Sequence, residues 1–356
     1  MDSSEFVQWL KGEGLFPQVE KHYPVFMQIF QQCLGVRKEY VLIIGDMGYH
    51  NHQVAALMAG CYLLAAKRLG LKYELVIQQP KKVHSSADDL LIQALREFNE
   101  SNVLVLAISG KLGSMKVLGK SFRRYAREQG HRFASTVSLQ DLETSKFSAL
   151  IKALTVDYNK INANGLAIKQ RLDNGNELRI TTAAGTDLTV DIRSKFAVAN
   201  TGIFTTSRLG GNLPAGEVYI APRGKGVNGK IVIDISAKVR QSTVLVKTPI
   251  ALTVKDGLLT KVSGGHEAEL LEATLKWAER IAQYPWGVRR IGEVGIGIND
   301  RADIIGPTIV NEKALGTAHI AIGSNVWFGG TVYAVTHFDQ VFRNPTIYID
   351  GQRLVI

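Results

Sequence analysis

The first part of the chain alternates short apolar strand patterns with helix patterns, and this alternation constrains the fold more than any other feature. Strand patterns occupy residues 40–44, 73–77, 102–108 and 133–138, and helix patterns cover about 53–69, 90–98 and 116–128. Strands that are separated by helices pair in parallel, because each crossover helix returns the chain to the same end of the sheet. We therefore expect an α/β fold with a doubly wound N-terminal domain, with further helices before residue 37.

The pattern changes near residue 160, and from Gly165 onward we expect alternation at period two. Turn dipeptides at Asn174-Gly175 and Ala184-Gly185 predict that segments 178–182 and 187–192 form a β-hairpin. More strand patterns follow at 218–221, 230–235, 244–247, 252–255 and 258–262, with one amphipathic helix at about 267–283. The sequence thus predicts an α/β domain over 1–160 and a β-rich α+β catalytic domain with a metal site over 161–356.

Composition favours an ordinary globular protein. Of the 356 residues, 46% are hydrophobic and 21% are charged, and no apolar run is long enough to span a bilayer. Cys33 and Cys61, the two cysteines, lie in apolar helical contexts, and the N-terminus shows no secretory pattern. We therefore expect a cytoplasmic protein with reduced thiols, in which oxygen and nitrogen atoms hold any metal.

The net charge of +10 raises the question of polyanionic partners. Aromatic residues do not interleave with the basic ones, and no nucleic-acid motif is present. We interpret the charge as a solvated basic surface and expect neither a specific nucleic-acid partner nor a membrane partner.

Five residues of metal-binding type follow one another in the C-terminal part: Glu217, Glu293, His319, His337 and Asp339. The last pair is the most informative, because His337 and Asp339 project to the same face if they lie on a strand. An imidazole and a carboxylate on one face make half of a metal site. The alternative for this pair is a structural hydrogen bond between the two side chains.

The other three residues each have a simpler alternative. Glu217 follows a rigid Pro-Ala-Gly turn, which suits an immobile ligand, but taken alone a surface glutamate at a strand start is the better explanation. Glu293 stands among small and apolar residues and needs a cation if it is buried, either a metal or a neighbouring arginine. His319 lies in an apolar stretch, where a satisfied core histidine is the commoner outcome.

Taken in order, several strings resemble the thermophilic metallo-aminopeptidases of the aminopeptidase T and aminopeptidase S type. These strings lie at 185–190, 212–219, 291–293, 318–323 and 337–339. The resemblance implies a metal-dependent exopeptidase that acts on small peptides, usually as a homodimer. It also implies a two-metal site with zinc, cobalt or manganese, whose ligands match Glu217, Glu293, His319, His337 and Asp339. Glu217 or Glu293 would act as the proton-accepting catalytic base.

Two departures from that family leave other functions open. Val326 stands where the family has a tyrosine ligand, and Gly216 replaces a residue that is often acidic. A ring-cleaving dihydroxypyridine dioxygenase is similar in its C-terminal half and would hold one iron with His319, His337 and Asp339. That dioxygenase has a histidine where this chain has Glu293, which favours the hydrolase.

A third hypothesis is a binding protein on the same fold with a decayed site.

The Gly45–His52 loop after the first strand lies where doubly wound sheets bind ligands, although Asp46 or Asn51 as a helix cap explains it more simply. Because of the resemblance to the metallo-aminopeptidases, we expect a metallo-aminopeptidase, a hydrolase of the protease class.

Overall fold

The computed structural model describes residues 1–82, 85–119 and 121–356. The chain forms two compact units, one from Met1–Tyr158 with Gly202–Ala215 and the other from Asn159–Thr201 with Gly216–Ile356. The division at residue 160 did not anticipate that the segment 202–215 returns to the first unit. It belongs there because its strand Gly210–Asn212 pairs in parallel with the strand Arg132–Thr136.

The described elements are numbered in chain order. The α-helices are α1 (Ser3–Gly12), α2 (Phe16–Gln28), α3 (Val54–Arg68), α4 (Asp89–Glu97), α5 (Phe122–Glu128), α6 (Phe147–Leu154), α7 (Tyr158–Asn174), α8 (His266–Ile281) and α9 (Thr308–Asn311). The strands are β1 (Val41–Asp46), β2 (Tyr73–Gln78), β3 (Val103–Ala107), β4 (Arg132–Thr136), β5 (Glu177–Thr181), β6 (Asp187–Asp191), β7 (Val198–Asn200), β8 (Gly210–Asn212), β9 (Glu217–Ile220), β10 (Val227–Ile233), β11 (Ser236–Lys238), β12 (Thr243–Leu245), β13 (Ile250–Lys255), β14 (Leu258–Ser263), β15 (Ile291–Gly297), β16 (Thr317–Gly323), β17 (His337–Arg343), β18 (Thr346–Ile349) and β19 (Gln352–Arg353).

The first unit is built on a five-stranded parallel sheet in the order β2-β1-β3-β4-β8. Strands β1, β3 and β4 are buried along their whole length, as expected where helices cover a parallel sheet. The α/β fold class predicted from the strand–helix alternation is confirmed. The single helix predicted over 116–128 is instead a 3₁₀ turn at Lys116–Leu118 followed by α5, and Lys120 between them lies outside the described residues.

The second unit contains two seven-stranded antiparallel sheets. One has the order β14-β13-β10-β6-β5-β18-β19 and includes the predicted hairpin, whose strands β5 and β6 pair from Glu177 with Asp191 to Thr181 with Asp187. The other has the order β12-β11-β17-β16-β15-β9-β7. At its centre, β15 and β16 are buried at every residue, so both faces of these strands are covered.

The expectation of period-two alternation from Gly165 onward was wrong for its first ten residues, which belong to α7. Ile161, Ile168 and Leu172 are buried there, at spacings of seven and four residues that match the turns of a helix. The polar residues between these positions give short stretches of the sequence the apolar–polar alternation that is typical of a strand. Among the described helices, none combines the length and apolar character that a membrane crossing requires.

Candidate metal centre

The central strands of the second sheet bring the sequence-predicted residues to one face. Glu293 on β15 and Asp339 on β17 both pair with Ala321 on β16, one from each side. Paired residues of antiparallel strands share a face, and so do residues two positions apart on one strand. His319 precedes Ala321 by two residues, and His337 precedes Asp339 by two. The register therefore gathers four metal-binding side chains over three adjacent strands.

The fifth residue lies on β9, the other neighbour of β15, and a glycine of β15 itself makes room for one of the histidines. Glu217 begins β9 and pairs with Gly297, which lies four residues after Glu293 on the same face. Gly295, between them, pairs with His319. A Cβ atom on Gly295 would lie 2.1 Å from both Cε1 and Nε2 of His319, so a glycine here leaves room for the imidazole.

Glu293 occupies the middle of the cluster and contacts both histidines. Its Oε1 atom lies 3.2 Å from Nε2 of His319, and its Oε2 atom lies 3.5 Å from Nε2 of His337. On the outer sides, His337 Nε2 is 3.2 Å from Oδ1 of Asp339, and His319 Nε2 is 3.8 Å from Oε2 of Glu217. All five predicted residues thus form one continuous network of acids and imidazoles.

Three sets of side chains within this network offer ligand atoms that lie within 4.8 Å of one another. They are Glu217 with Glu293 and His319, Glu293 with His337 and Asp339, and Glu312 with His319 and Asp339. Glu293 belongs to two of these sets. Within the described part of the chain, His319 and His337 occur together in none of them, so the set of His319, His337 and Asp339 considered from sequence is not the one that the structure assembles most closely.

Sequence reasoning missed two charged residues of the cluster, Glu312 and Lys313. The Lys313 side chain is fully buried, its Nζ atom lies 2.7 Å from Oε1 of Glu217, and it also pairs with the carboxylate of Glu312. Asn200 donates a further hydrogen bond of 3.4 Å to the same Glu217 oxygen. The available signal was the charged dipeptide Glu312-Lys313 in the otherwise uncharged stretch from Ile305 to Leu315.

The ionisable groups hold one another in charged states. Burial alone would lower the pKa of His319, but Glu293, Glu312 and Glu217 raise it to about 9. Burial acts in the same direction on His337, and Asp339 and Glu293 raise its pKa to about 10. Burial would raise the pKa of Asp339, but His337 holds it below its usual range.

The two acids nearest the interior behave differently. Burial raises the pKa of Glu293 above its usual value, and it raises that of Glu312 to about 8. For Lys313, burial would lower the pKa, but Glu217 and Glu312 raise it above its usual value. Such pKa shifts are expected where a lysine ammonium and several carboxylates are buried together.

The orientation of His337 fits a metal ligand. Its Nδ1 atom lies 2.8 Å from the carbonyl oxygen of Ser324, which fixes that nitrogen as the donor and leaves Nε2 facing the carboxylates. Metal-binding histidines commonly have such a carbonyl partner on the second nitrogen. The cluster also offers only oxygen and nitrogen atoms, as expected for iron, manganese, cobalt or zinc. The residues present therefore fit a divalent ion.

Aromatic side chains line one side of this cluster. The Trp327 ring contacts the His337 ring at 4.9 Å between centroids and the Phe328 ring at 5.4 Å. Phe328 in turn contacts Tyr219 at 5.1 Å. Trp327 and Phe328 belong to a 3₁₀ turn at Val326–Phe328, and Val326, at the position of the aminopeptidase tyrosine, is half exposed.

The helix cap expected in the loop after β1 was wrong, because the N-cap residue of α3 is Gln53 and it makes no side-chain capping hydrogen bond. Asp46 is fully buried and accepts hydrogen bonds from the backbone amide and hydroxyl of Ser109 and from the amide of Gly48. It joins the ends of β1 and β3. Neither His50 nor His52 occurs in a candidate metal set within the described residues.

The model of the family described as "NicX: 2,5-dihydroxypyridine 5,6-dioxygenase" matches residues 21–356. A curated relative, the 2,5-dihydroxypyridine 5,6-dioxygenase of Pseudomonas putida, is 25% identical over 197 residues. That match covers 54% of this chain and 56% of the relative, so it spans little more than half of the relative's length.

Two solved structures share the fold. The structure of 2,5-dihydroxypyridine dioxygenase from Pseudomonas putida KT2440 has a TM-score of 0.73 at 19% identity, over 95% of this chain and 96% of that one. Wild-type AmpT from Thermus thermophilus has a TM-score of 0.62 at 16% identity, over 96% and 97% of the two chains. The second match confirms the aminopeptidase-like fold that the resemblance implied.

The prediction of a metallo-aminopeptidase was wrong, and with it the assignment to hydrolases and proteases. The family match over residues 21–356 and the curated relative both point to the dioxygenase that was the alternative. The sequence segments that carry the resemblance lie largely on β9, β15, β16 and β17. These strands build the shared fold and its metal centre, but they do not determine the reaction. The chain belongs to the 2,5-dihydroxypyridine 5,6-dioxygenase (NicX) family.

Proposed function

We propose that this protein is a metal-dependent, ring-cleaving dioxygenase that acts on a dihydroxylated pyridine. The family model and the curated relative support the reaction class. The structural observation that carries the proposal is the set of Glu293, His337 and Asp339 beside the Trp327 ring. A metal-binding set next to an aromatic surface suits a flat aromatic substrate that chelates through its hydroxyl groups.

Within this proposal, Glu293, His337 and Asp339 hold one iron(II) ion. Non-haem iron oxygenases commonly use two histidines and one carboxylate with open positions, and here Glu293 supplies a second carboxylate in place of a histidine. When bound, iron supplies the redox chemistry that lets dioxygen react with the ring. The backbone carbonyl of Ser324 keeps His337 in the tautomer that presents Nε2 to the ion.

The aromatic wall would bind and orient the substrate. Trp327 is 47% exposed, so a face of its indole is available to a ligand while its other contacts fix it against His337 and Phe328. A pyridine ring stacked there lies beside the ligand set and excludes water from that side. Offset or edge-to-face packing of aromatic rings contributes about 0.5–1.5 kcal/mol beyond the area buried.

The test is oxygen consumption by protein that has been loaded anaerobically with iron(II). With 2,5-dihydroxypyridine we expect uptake of one dioxygen for each ring lost from the ultraviolet spectrum, and no uptake after chelation. Asp339→Asn abolishes uptake, whereas Asp350→Asn, at an exposed turn, serves as the matched control and retains it. Iron-loaded protein that binds the metal but consumes no oxygen with any dihydroxypyridine would refute the proposal. The homodimer implied by the aminopeptidase resemblance stays a prediction.

A further inference from the structure

Tyr219 stands on the same face of the sheet as the candidate metal ligands. It follows Glu217 by two residues on β9 and pairs with Gly295 on β15, which in turn pairs with His319 on β16. Paired residues of antiparallel strands share a face, and so do residues two positions apart on one strand. Glu293 precedes Gly295 by two residues and is therefore the diagonal neighbour of Tyr219, at about 7–8 Å, a distance that aromatic and long side chains can bridge.

The ring of Tyr219 adjoins the aromatic wall of Trp327 and Phe328. Its centroid lies 5.1 Å from that of Phe328, and the Phe328 centroid lies 6.4 Å from that of His337, in both cases with the rings nearly perpendicular. The Phe328 ring therefore contacts the phenol on one side and a candidate ligand on the other. Tyr219 is only partly buried, whereas the other residues of β9 are buried, so part of its side chain remains open to a ligand.

These three rings differ in the hydrogen bonds that they can form. Phe328 has no polar side-chain atom, and the indole N–H of Trp327 is a donor only. A phenol hydroxyl is both a donor and an acceptor, so Tyr219 can pair with either kind of polar group on an aromatic ligand. The 2,5-dihydroxypyridine of the proposed function carries two such groups side by side, the ring nitrogen and the neighbouring hydroxyl, and its other hydroxyl lies across the ring.

We propose that the Tyr219 hydroxyl hydrogen-bonds the nitrogen-bearing edge of the substrate, so that the hydroxyl across the ring points to the candidate metal ligands. Trp327 and Phe328 then select for a flat ring, and Tyr219 selects for a ring with this polar edge over a plain phenol. Tyr219 is thus a specificity-determining binding residue, not a metal ligand. The inference rests on the proposed function for the choice of substrate, but it concerns binding and is tested without turnover.

The test compares two ligands that differ in that edge. Iron(II)-loaded protein is titrated by calorimetry in the absence of oxygen with 2,5-dihydroxypyridine and with phenol, which keeps one hydroxyl but lacks the nitrogen and the second hydroxyl. In Tyr219→Phe the ring still contacts Phe328, so phenol affinity should change less than about 2-fold, whereas dihydroxypyridine affinity should fall by about 3- to 10-fold, the contribution of one hydrogen bond. Tyr348→Phe is the matched control, because Tyr348 is a partly buried tyrosine of the other sheet, and it should change neither affinity.

Equal weakening of both ligands in Tyr219→Phe, or weakening of neither, would show that Tyr219 only packs against Phe328 and would overturn the inference. A wild-type protein that binds phenol as tightly as dihydroxypyridine overturns it without any variant. Trp327→Ala should give a different pattern, because the loss of a stacking surface weakens both ligands alike. Oxygen uptake is measured separately, so a protein that binds dihydroxypyridine selectively through Tyr219 but consumes no oxygen contradicts the dioxygenase alone.

Discussion

Gly295 illustrates how a residue without a side chain shapes the centre. Its own face of β15 is covered by the His319 imidazole, and a Cβ atom there would approach two ring atoms to 2.1 Å. Real Cβ atoms do not come this close to other atoms, so the ring or the strand has to move. Since His319 is completely buried, it has no solvent-exposed space to move into.

We therefore expect Gly295→Ala to lower the free energy of unfolding by about 1–3 kcal/mol, the usual cost of inserting a methyl group into a packed interior. Urea denaturation followed by circular dichroism measures it. Gly12→Ala is the control, because a Cβ at Gly12 meets no atom within 4 Å and alanine suits a helix end. A Gly295→Ala protein as stable as the wild type would show that the ring is free to shift.

At this scale the sequence located the acids and imidazoles but not the lysine among them. The pattern around His337 and Asp339 needs only strand geometry, which two positions of spacing already predict. Lys313 and Glu312, by contrast, form a dipeptide of a kind that is ordinary on protein surfaces. Their burial results from the turn that leads from α9 to β16, and that turn depends on tertiary contacts.

At the scale of elements, strongly periodic segments were predictable, whereas β15 and β16, the innermost strands of the centre, were not. Strands β1 to β4 and helix α3 appear where apolar patterns predict them. The segments of β15 and β16 are apolar at nearly every position, because both faces are buried, so no alternation identifies them. Helix α7 was missed for a different reason. Polar residues stand between its buried apolar residues and obscure their helical spacing.

The segment that carries Trp327 is an element held by side-chain hydrogen bonds. Asn325 donates from Nδ2 to the carbonyl of Gly292 at 2.8 Å and accepts from the amide of Val332 at 2.8 Å. Asn325 is buried, and these bonds tie the residue before the turn to Gly292 on β15 and to Val332 beyond the turn. The indole is therefore held in place before any ligand arrives.

If this turn binds the substrate ring, Trp327→Ala should raise KM for the dihydroxypyridine by about 3- to 10-fold, which corresponds to the loss of one aromatic contact. The metal count should stay unchanged, because no ligand is altered. Steady-state oxygen uptake over a range of substrate concentrations gives both KM and kcat. Trp286→Ala, which removes another exposed indole outside this turn, is the control. An unchanged KM would exclude Trp327 from the binding surface.

For the whole molecule, sequence patterns predicted the fold class but assigned the wrong reaction. The same architecture accommodates a dihydroxypyridine dioxygenase and AmpT, with TM-scores of 0.73 and 0.62 to this chain. Metal donors on shared strands identify the fold, whereas the reaction depends on which ions bind and which rings or peptides fit beside them. The sequence does not reveal where side chains such as Lys313 and Trp327 stand, because tertiary contacts place them.

Stability of the whole chain also depends on a titrating group far from the metal centre in sequence. His131 is fully buried and packs between Phe98, at 5.2 Å between ring centroids, and Tyr125, at 5.9 Å. Its Nδ1 atom accepts a hydrogen bond of 3.1 Å from the amide of Asn102. Its Nε2 atom has no hydrogen-bond partner among the described residues. An imidazole in this position is held neutral.

Burial lowers the pKa of His131 from 6.5 to about 4, which fixes the sign of a pH effect on unfolding. Above pH 6.5 both states are neutral; between 6.5 and 4 the unfolded chain takes up a proton that the folded chain refuses. Stability should therefore fall with decreasing pH, by about 3 kcal/mol in total over this window and no further below it. His131→Asn keeps an oxygen that can accept from Asn102 but cannot titrate. Urea unfolding at pH 7 and pH 4 should show the stability difference between wild type and variant shift by that amount in the variant's favour at pH 4. A difference that is the same at both pH values would mean that His131 protonates equally well in the folded protein.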